Sequence, residues 1–278
     1  MFNNKLHKVL NDNTSGSTAL LHQLINGLSS YFKEKEDVDY DDLVVELKEL
    51  MFHFSSFAVI LHFLTSFINW LEINKKYLKG EKCLESIHMY KYRWQTEESR
   101  LQIKALNAID LKNKKVLLHS NSSTIQQIFR SLARQKIEVE VYQTISSPMN
   151  EGILQAKHIH EQGFKVHLIA DAAVNLIMPE IDIALLGTDA ILKDCFINKI
   201  GSYYIADFAN KYNKSVYVIS DTRKVLDEKL IDKAIIEKML KETPKSPDEL
   251  YESNTKDLIP LNYYFEKIPN KLITKFIH

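Results

Sequence analysis

The sequence is poor in several features that would have pointed to a function directly. Charge of one sign is not in excess: 36 Lys+Arg stand against 36 Asp+Glu in 278 residues. A chain that grips nucleic acid through its phosphates is normally strongly basic, so direct nucleic-acid binding is not expected. Only two cysteines occur, Cys83 and Cys195, which excludes a disulfide scaffold and fits a reducing, cytoplasmic compartment. Glycine numbers seven, and no proline precedes Pro148; an opening stretch this short of helix breakers predicts helices. Neither G-x-G-x-x-G nor G-x-x-x-x-G-K-[ST] is present, and HExxH and CxxC are missing too, so no cofactor and no metal are expected. The opening MFNNKLHKVL lacks the apolar run of a signal peptide. What remains is ordinary: 45% hydrophobic and 26% charged residues, the balance of a globular chain, long enough for about two domains.

One stretch is free of charge. From Leu50 to Leu71 no Asp, Glu, Lys or Arg appears, and about 20 apolar residues span a bilayer. Ser55, His62, Ser66 and Asn69 nevertheless fall at helical spacings on one face, predicting a buried helix with one polar side and no membrane partner. Upstream, Leu20, Leu21, Leu24, Ile25 and Leu28 form a 3.6-period stripe over residues 18–32. Helix signals recur at 41–50 and 97–108, so residues 1–110 read as a helical domain.

The period then changes. Short β-rich runs at 116–119, 139–143, 166–170, 183–186 and 216–220 alternate with helical stretches at 124–135, 151–162, 172–178 and 199–212. That alternation is the mark of βαβ units with right-handed crossovers, and the nearly unbroken apolar strands predict helices on both faces. Residues 111–278 therefore read as an α/β domain with a parallel sheet. Residues 241–256, with Pro244 and Pro247, read as a loop, and 269–278 as a last short helix or extended arm.

In such sheets ligands bind beyond the carboxyl ends of the strands, and three segments occupy that position. His119-Ser120-Asn121-Ser122-Ser123-Thr124 offers small polar side chains ahead of a helix, suited to capping it or to holding a phosphate. Gly187-Thr188-Asp189 places a carboxylate beside a glycine, suited to proton transfer or to a sugar hydroxyl, or simply to a turn. Asn198-Lys199-Ile200-Gly201 sets an amide beside an ammonium, suited to a polyol and a phosphate oxygen, or to the start of a helix. Asp221-Thr222-Arg223-Lys224, after the strand at 216–220, reads as a solvated turn in preference to a further lining of the same cleft. His158, His160 and Cys195 have no ligand-like spacing and read as ordinary.

Taken in order, these segments resemble the family joining translation initiation factor 2B alpha, beta and delta subunits to aldose-phosphate isomerases, which act on methylthioribose-1-phosphate and ribose-1,5-bisphosphate. The resemblance runs from about Asp12 to the end. It rests on Gly187-Thr188-Asp189-Ala190-Ile191, Ile197-Asn198-Lys199-Ile200-Gly201-Ser202 and Leu118-His119-Ser120-Asn121-Ser122. Gly16-Ser17, Val141-Tyr142-Gln143-Thr144 with Pro148-Met149-Asn150-Glu151-Gly152, and the closing Asn262…Phe265…Ile268-Pro269…Leu272-Ile273-Thr274 add to it. The resemblance implies a helical N-terminal domain followed by a Rossmann-like domain, assembly as a homodimer or higher homo-oligomer, and a small ligand such as a sugar phosphate or nucleoside monophosphate. It also implies catalytic positions: the family aspartate falls on Asp189 and the family cysteine on Ser120. Asn121, Ser122, Ser123, Gly187, Asn198 and Lys199 fall where ligand is bound.

The departures matter. A thiol ionises near 8.5, whereas a serine hydroxyl is far less acidic and needs a base to move a proton. Adjacent His119 is the local base, but neighbouring strand residues point to opposite faces. Family arginines that clamp phosphate fall on Ser15, Ser55 and Ser147, removing bidentate donors. Of the three readings the resemblance allows, a ligand-binding or scaffold protein without efficient turnover is therefore favoured over an active aldose–ketose isomerase and over a translation-factor subunit.

Overall fold

The computed structural model describes residues 3–12, 16–241, 244–252 and 257–278. Ser15 lies outside them. Two compact units result, Met1–Glu98 with Arg223–Met239, and Ser99–Thr222 with Leu240–His278.

The first unit is built from helices α1 (Asn3–Leu10), α2 (Ser17–Lys33), α3 (Tyr40–His53), α4 (Ala58–Asn74) and the first part of α5 (Gly80–Ala108). The stripe Leu20, Leu21, Leu24, Ile25 and Leu28 is fully buried on α2, each such side chain contributing about 1.5–3 kcal/mol. Asp39 caps α3 by accepting the Asp42 amide at 2.9 Å, with two aspartates in the first turn where the helix dipole favours them. The uncharged stretch is two helices, not one. Phe54 closes α3 and Phe57 precedes α4; the serines between them offer the backbone competing local hydrogen bonds. Ser55 is buried in that turn and shares no helical face with His62, Ser66 and Asn69. Among the described residues no helix is long and apolar enough to cross a membrane.

Helix α5 runs 29 residues, far beyond the 97–108 read from pattern, because Cys83, Ile87 and Trp94 continue a narrow buried stripe. The two units divide inside this helix instead of near residue 110: Leu101 and Ala105 already pack in the core of the sheet. The segment after residue 222 returns to the first unit, where the Arg223 guanidinium sits 3.2 Å from Glu98 and 5.0 Å from the Trp94 ring. That arginine is buried, so the expected solvated turn is in part packed within the first unit.

The second unit alternates as expected. Strand β1 (Lys114–Leu118) leads to α6 (Ser123–Arg134), β2 (Val139–Thr144), α7 (Gly152–His160) and β3 (Lys165–Ile169). Next come α8 (Val174–Ile177), β4 (Ile183–Leu186), β5 (Ala190–Ile191), β6 (Cys195–Lys199), α9 (Ser202–Lys211) and β7 (Ser215–Ile219). Helix α10 (Lys233–Leu240) returns to the first unit, and β8 (Phe265–Pro269) and β9 (Lys275–Ile277) complete the second. Six strands pair in parallel in the order β3-β2-β1-β4-β7-β9. From β1 the chain moves outward through β2 to β3, then crosses back to place β4 on the other side of β1, and ligands of such sheets bind at that reversal. Side chains alternate on β1: Val116 and Leu118 enter one core layer and Leu117 the other.

Three expectations change. The expected helix at 199–212 starts at Ser202, because residues 195–199 pair as β6 in an antiparallel sheet β5-β6-β8 that the pattern did not reveal. Residues 172–178 hold only one short turn of α-helix between two 3₁₀ turns. Of the two readings of the tail the extended one holds, and it is paired: β8 and β9 each join a sheet, with a single 3₁₀ turn, Asn270–Leu272, between them.

Candidate functional site

The site grows from the carboxyl ends of β1, β2 and β4. Past β1 the backbone turns left-handed at Ser120, with φ 63°, a conformation costly for a residue with a Cβ and held here by its bonds. The Ser120 amide donates to Ser146 Oγ at 2.8 Å, its carbonyl accepts from Gln143 Nε2 at 3.2 Å, and its hydroxyl donates to Glu151 Oε1 at 2.9 Å. On the other side of that carboxylate lies Lys199, the last residue of β6, 4% exposed, with Nζ 3.1 Å from Glu151 Oε2. Hydroxyl, carboxylate and ammonium thus meet, and the carboxylate is Glu151. The turn that delivers it needs the following glycine: a Cβ on Gly152 would stand 2.0 Å from the Thr144 carbonyl oxygen.

His119 points away from Ser120, as strand alternation requires, and fixes the floor of the site. Its Nε2 lies 2.8 Å from the Ile200 carbonyl, an acceptor only, so Nε2 carries the proton. Nδ1 then accepts from Thr144 Oγ1 at 2.6 Å, Thr144 Oγ1 accepts from Ser146 Oγ at 2.9 Å, and Ser146 Oγ accepts the Ser120 amide. Burial pushes the His119 pKa down, which keeps the ring neutral and this chain of donors aligned. Gly201, at φ +105°, lets the backbone pass the imidazole, where a Cβ would lie 3.0 Å from Cε1.

The remaining candidates take varied positions. Ser122 caps α6 by accepting the Ile125 amide at 3.4 Å, its own amide donates to Gln155 at 2.7 Å, and a Cβ on Gly187 would lie 3.1 Å from its hydroxyl. The tips of β1 and β4 are therefore in close approach. Asn121 is exposed and accepts from Gln126 at 2.7 Å, and Ser123 is exposed in the first turn of α6. Asn198 is buried and donates to Ser202 Oγ at 2.8 Å, bracing the β6–α9 turn. Asp189, half-buried between β4 and β5, has its amide on the Ile197 carbonyl at 2.9 Å; the carboxylate that meets Ser120 is Glu151's. Ser147 is exposed, its amide donating to Asp171 at 2.8 Å. Two natural anion seats hold the protein's own carboxylates: Asp171 takes the Ser146 and Ser147 amides, and Glu266 takes those of Gly201 and Tyr203 at the start of α9.

Glu151 is the residue that sequence reasoning passed over. Its signal was present, since Pro148-Met149-Asn150-Glu151-Gly152 follows a strand and precedes a helix, the position that drew notice elsewhere. Tyr264 was passed over as well. Its ring centroid lies 5.1 Å from Lys199 Nζ, and burial together with the Glu249 carboxylate raises its pKa, so the phenol stays protonated and donates. Among the described residues no group of three or more His, Cys, Asp or Glu is placed to hold a metal ion.

Comparisons with known proteins fit this construction. The chain is 31% identical over 165 residues to the ribose 1,5-bisphosphate isomerase of Methanocaldococcus jannaschii, covering 58% of this chain and 52% of that protein, so it spans about half of that relative. A putative translation initiation factor eIF-2B subunit 2-like protein of Pyrococcus horikoshii is 28% identical over 203 residues, 71% of each chain. Among solved structures, the translation initiation factor eIF-2B of Pyrococcus horikoshii OT3 superposes with a TM-score of 0.77 at 22% identity, covering 99% of this chain and 94% of that one. The 5-methylthioribose 1-phosphate isomerase of the same organism gives 0.75 at 18% identity, covering 99% and 82%. A tetrameric eIF2B-beta2-delta2 complex from C. thermophilum gives 0.71 at 14% identity, covering 99% and 88%. These likenesses show the shared fold. The model of the Initiation factor 2 subunit family matches residues 13–278, and the chain belongs to that family.

Proposed function

We propose that the carboxyl end of the parallel sheet binds a small polyhydroxylated ligand of the sugar-phosphate class without efficient aldose–ketose turnover. The observation that carries this reading is the cluster of Ser120, Glu151 and Lys199. Glu151 Oε2 is buried and, beyond the ion pair with Lys199, accepts no aligned hydrogen bond among the described residues, which suits it to a ligand hydroxyl. The Lys199 ammonium suits a phosphate or sugar oxygen. Moving a proton between two carbons of a sugar asks for a group that gives and takes it near neutral pH. The Ser120 hydroxyl already donates to a carboxylate whose charge Lys199 balances, so little driving force remains to deprotonate it further. Asp189 stays the second candidate for proton transfer, and Asn121, Ser122, Ser123, Gly187 and Asn198 for ligand contact.

The test is to incubate the protein with ribose 1,5-bisphosphate, 5-methylthioribose 1-phosphate, pentose phosphates and AMP, reading thermal shift and ketose formation. We expect a shift with at least one phosphosugar, ketose at background, and at least a tenfold gain in ketose from Ser120→Cys. Turnover by the unaltered protein at about 1 s⁻¹ or more, an ordinary enzyme rate, would instead establish the isomerase reading that the M. jannaschii relative favours. No shift from any compound removes the ligand. That leaves a subunit role in an assembly, which the tetrameric C. thermophilum complex favours; light scattering for a homodimer or larger homo-oligomer, and a pull-down for initiation factor 2 components, then read it directly.

A further inference from the structure

The chain ahead of β8 meets the cluster through one side chain. The Tyr264 ring centroid stands 5.1 Å from Lys199 Nζ and 5.6 Å from Lys245 Nζ. Its hydroxyl donates to Glu249, with Met149 Sδ 3.1 Å away. The segment that supplies Glu249 is pinned: buried Asn262 donates to Ser246 O at 2.8 Å and to Glu249 Oε2 at 2.7 Å, and its carbonyl accepts the Lys245 amide at 2.8 Å. The Tyr264 carbonyl accepts the Ile200 amide at 2.8 Å, so the backbone is anchored beside the site while the ring hangs from it on two rotatable bonds. Lys199 keeps 4% of its side-chain surface and Glu151 Oε2 almost none, and the Tyr264 ring is one of the groups set against that ammonium.

We propose that Tyr264 is a removable stopper: its ring fills the place where an oxyanion of the ligand, a phosphate in the first instance, meets Lys199 and Lys245, and ligand entry swings the ring aside. The chemistry of the exchange is favourable. The ring offers its negative face to two ammonium groups; a phosphate offers them charge-assisted hydrogen bonds, which are stronger. An apolar group would leave both ammoniums with less than they have. Lys245 then supplies a second positive charge to the ligand, while Glu249, itself held by Asn262, takes back the ring's hydroxyl when the site empties. In its choice of a phosphate this rests on the reading above, but the covering of Lys199 stands apart from any sugar.

The experiment is reductive methylation of the full chain with formaldehyde and cyanoborohydride, followed lysine by lysine by peptide mass spectrometry. Exposed Lys157 serves as the internal reference. We expect Lys199 to react at least tenfold more slowly than Lys157 in the unaltered protein, and at least tenfold faster in Tyr264→Ala than in the unaltered protein. Tyr264→Phe keeps the ring and its packing, loses the bond to Glu249, and is expected to speed Lys199 two- to fivefold; it guards against a misfolded alanine variant. Inorganic phosphate is expected to protect Lys199 and Lys245 at a concentration at least fivefold lower in Tyr264→Ala than in the unaltered protein. Lys199 reacting at the Lys157 rate from the start, or unchanged in both variants, or phosphate protecting neither lysine, overturns the proposal. The labelling needs no sugar, so a silent phosphosugar panel would refute the ligand reading while the stopper stands.

Discussion

A buried imidazole and a buried ion pair set the behaviour of the site one side chain at a time. His119 is neutral because burial removes water from its charged form. The unfolded chain takes up a proton below the ordinary histidine value near 6.5 that the folded chain refuses, so stability falls as pH drops through that value and is flat above it. The slope is at most about 1.4 kcal/mol per pH unit. His278, also depressed by burial, acts in the same direction, so the quantity to measure is the difference in urea stability between the unaltered protein and His119→Gln from about pH 5 to 7.5. A difference that does not change with pH would remove His119 as the source. Lys199 makes the opposite case, a charge that must stay. Lys199→Met leaves the Glu151 carboxylate without its ammonium and is expected to cost about 3 kcal/mol, the lower end for a broken buried pair because Glu151 keeps 21% of its side-chain surface. Adding Glu151→Leu should recover at least half of that loss in the same urea measurement, since two apolar groups replace two charges; a further loss would mean that the carboxylate is held by more than Lys199. Ser120 and Lys199 were legible from sequence as residues at strand ends. Glu151 had the same positional signal, but its partnership with Ser120 was not legible, because the two lie 31 residues apart and meet only once β1 and β2 pair.

At the scale of elements, what was legible is what repeats. Five runs of apolar residues gave five parallel strands within a residue or so, and the α2 stripe gave its buried face, since each pattern extends over several periods. The antiparallel trio β5-β6-β8 escaped because β5 has two residues and β6 ends in Asn198 and Lys199, polar groups that read as a helix start. They are buried by a partner strand some seventy residues later, a fact no local window contains. The β2–α7 turn shows how tightly an element boundary can be specified. Gly152→Ala would drive a Cβ into the Thr144 carbonyl, a backbone atom that cannot rotate away, so the turn must shift and take Glu151 with it. We expect a cost of about 3 kcal/mol in urea unfolding, the upper range for overpacking. Gly16→Ala, at an α2 N-cap facing nothing within 4 Å, should cost no more than about 1 kcal/mol. Equal effects would show that the β2–α7 turn relaxes freely and that Glu151 is not held by it.

At the scale of the whole molecule the site is a consequence of strand order. Its groups come from residues 119–122, 144–152, 187–201 and 249–266: the order β3-β2-β1-β4-β7-β9 brings the ends of β1, β2 and β4 side by side, and the antiparallel trio β5-β6-β8 supplies Lys199 and the chain that carries Tyr264. The last strand completes that sheet late in the chain. Ile277 is 1% exposed in the core shared with Val116, Leu118 and Leu185, and the Ser220 amide donates to its carbonyl at 2.9 Å. Three residues carry no periodicity, which is why the tail reads equally as a short helix or an extended arm; its register against β7 is fixed by Tyr217, Val218 and Ile219. If β9 is structural in this sense, Ile277→Ala should cost about 2–5 kcal/mol, the range for emptying a core position, whereas Lys275→Ala, at an exposed position of the same strand, should change stability by no more than about 0.5 kcal/mol. Ending the chain after residue 273 should go further and uncover the β7 edge, a template for pairing with other chains, so light scattering should rise with protein concentration. A shortened protein that stays monodisperse with unchanged urea stability would show that β9 only lies against the sheet, and that β7 is protected by something other than the strand beside it.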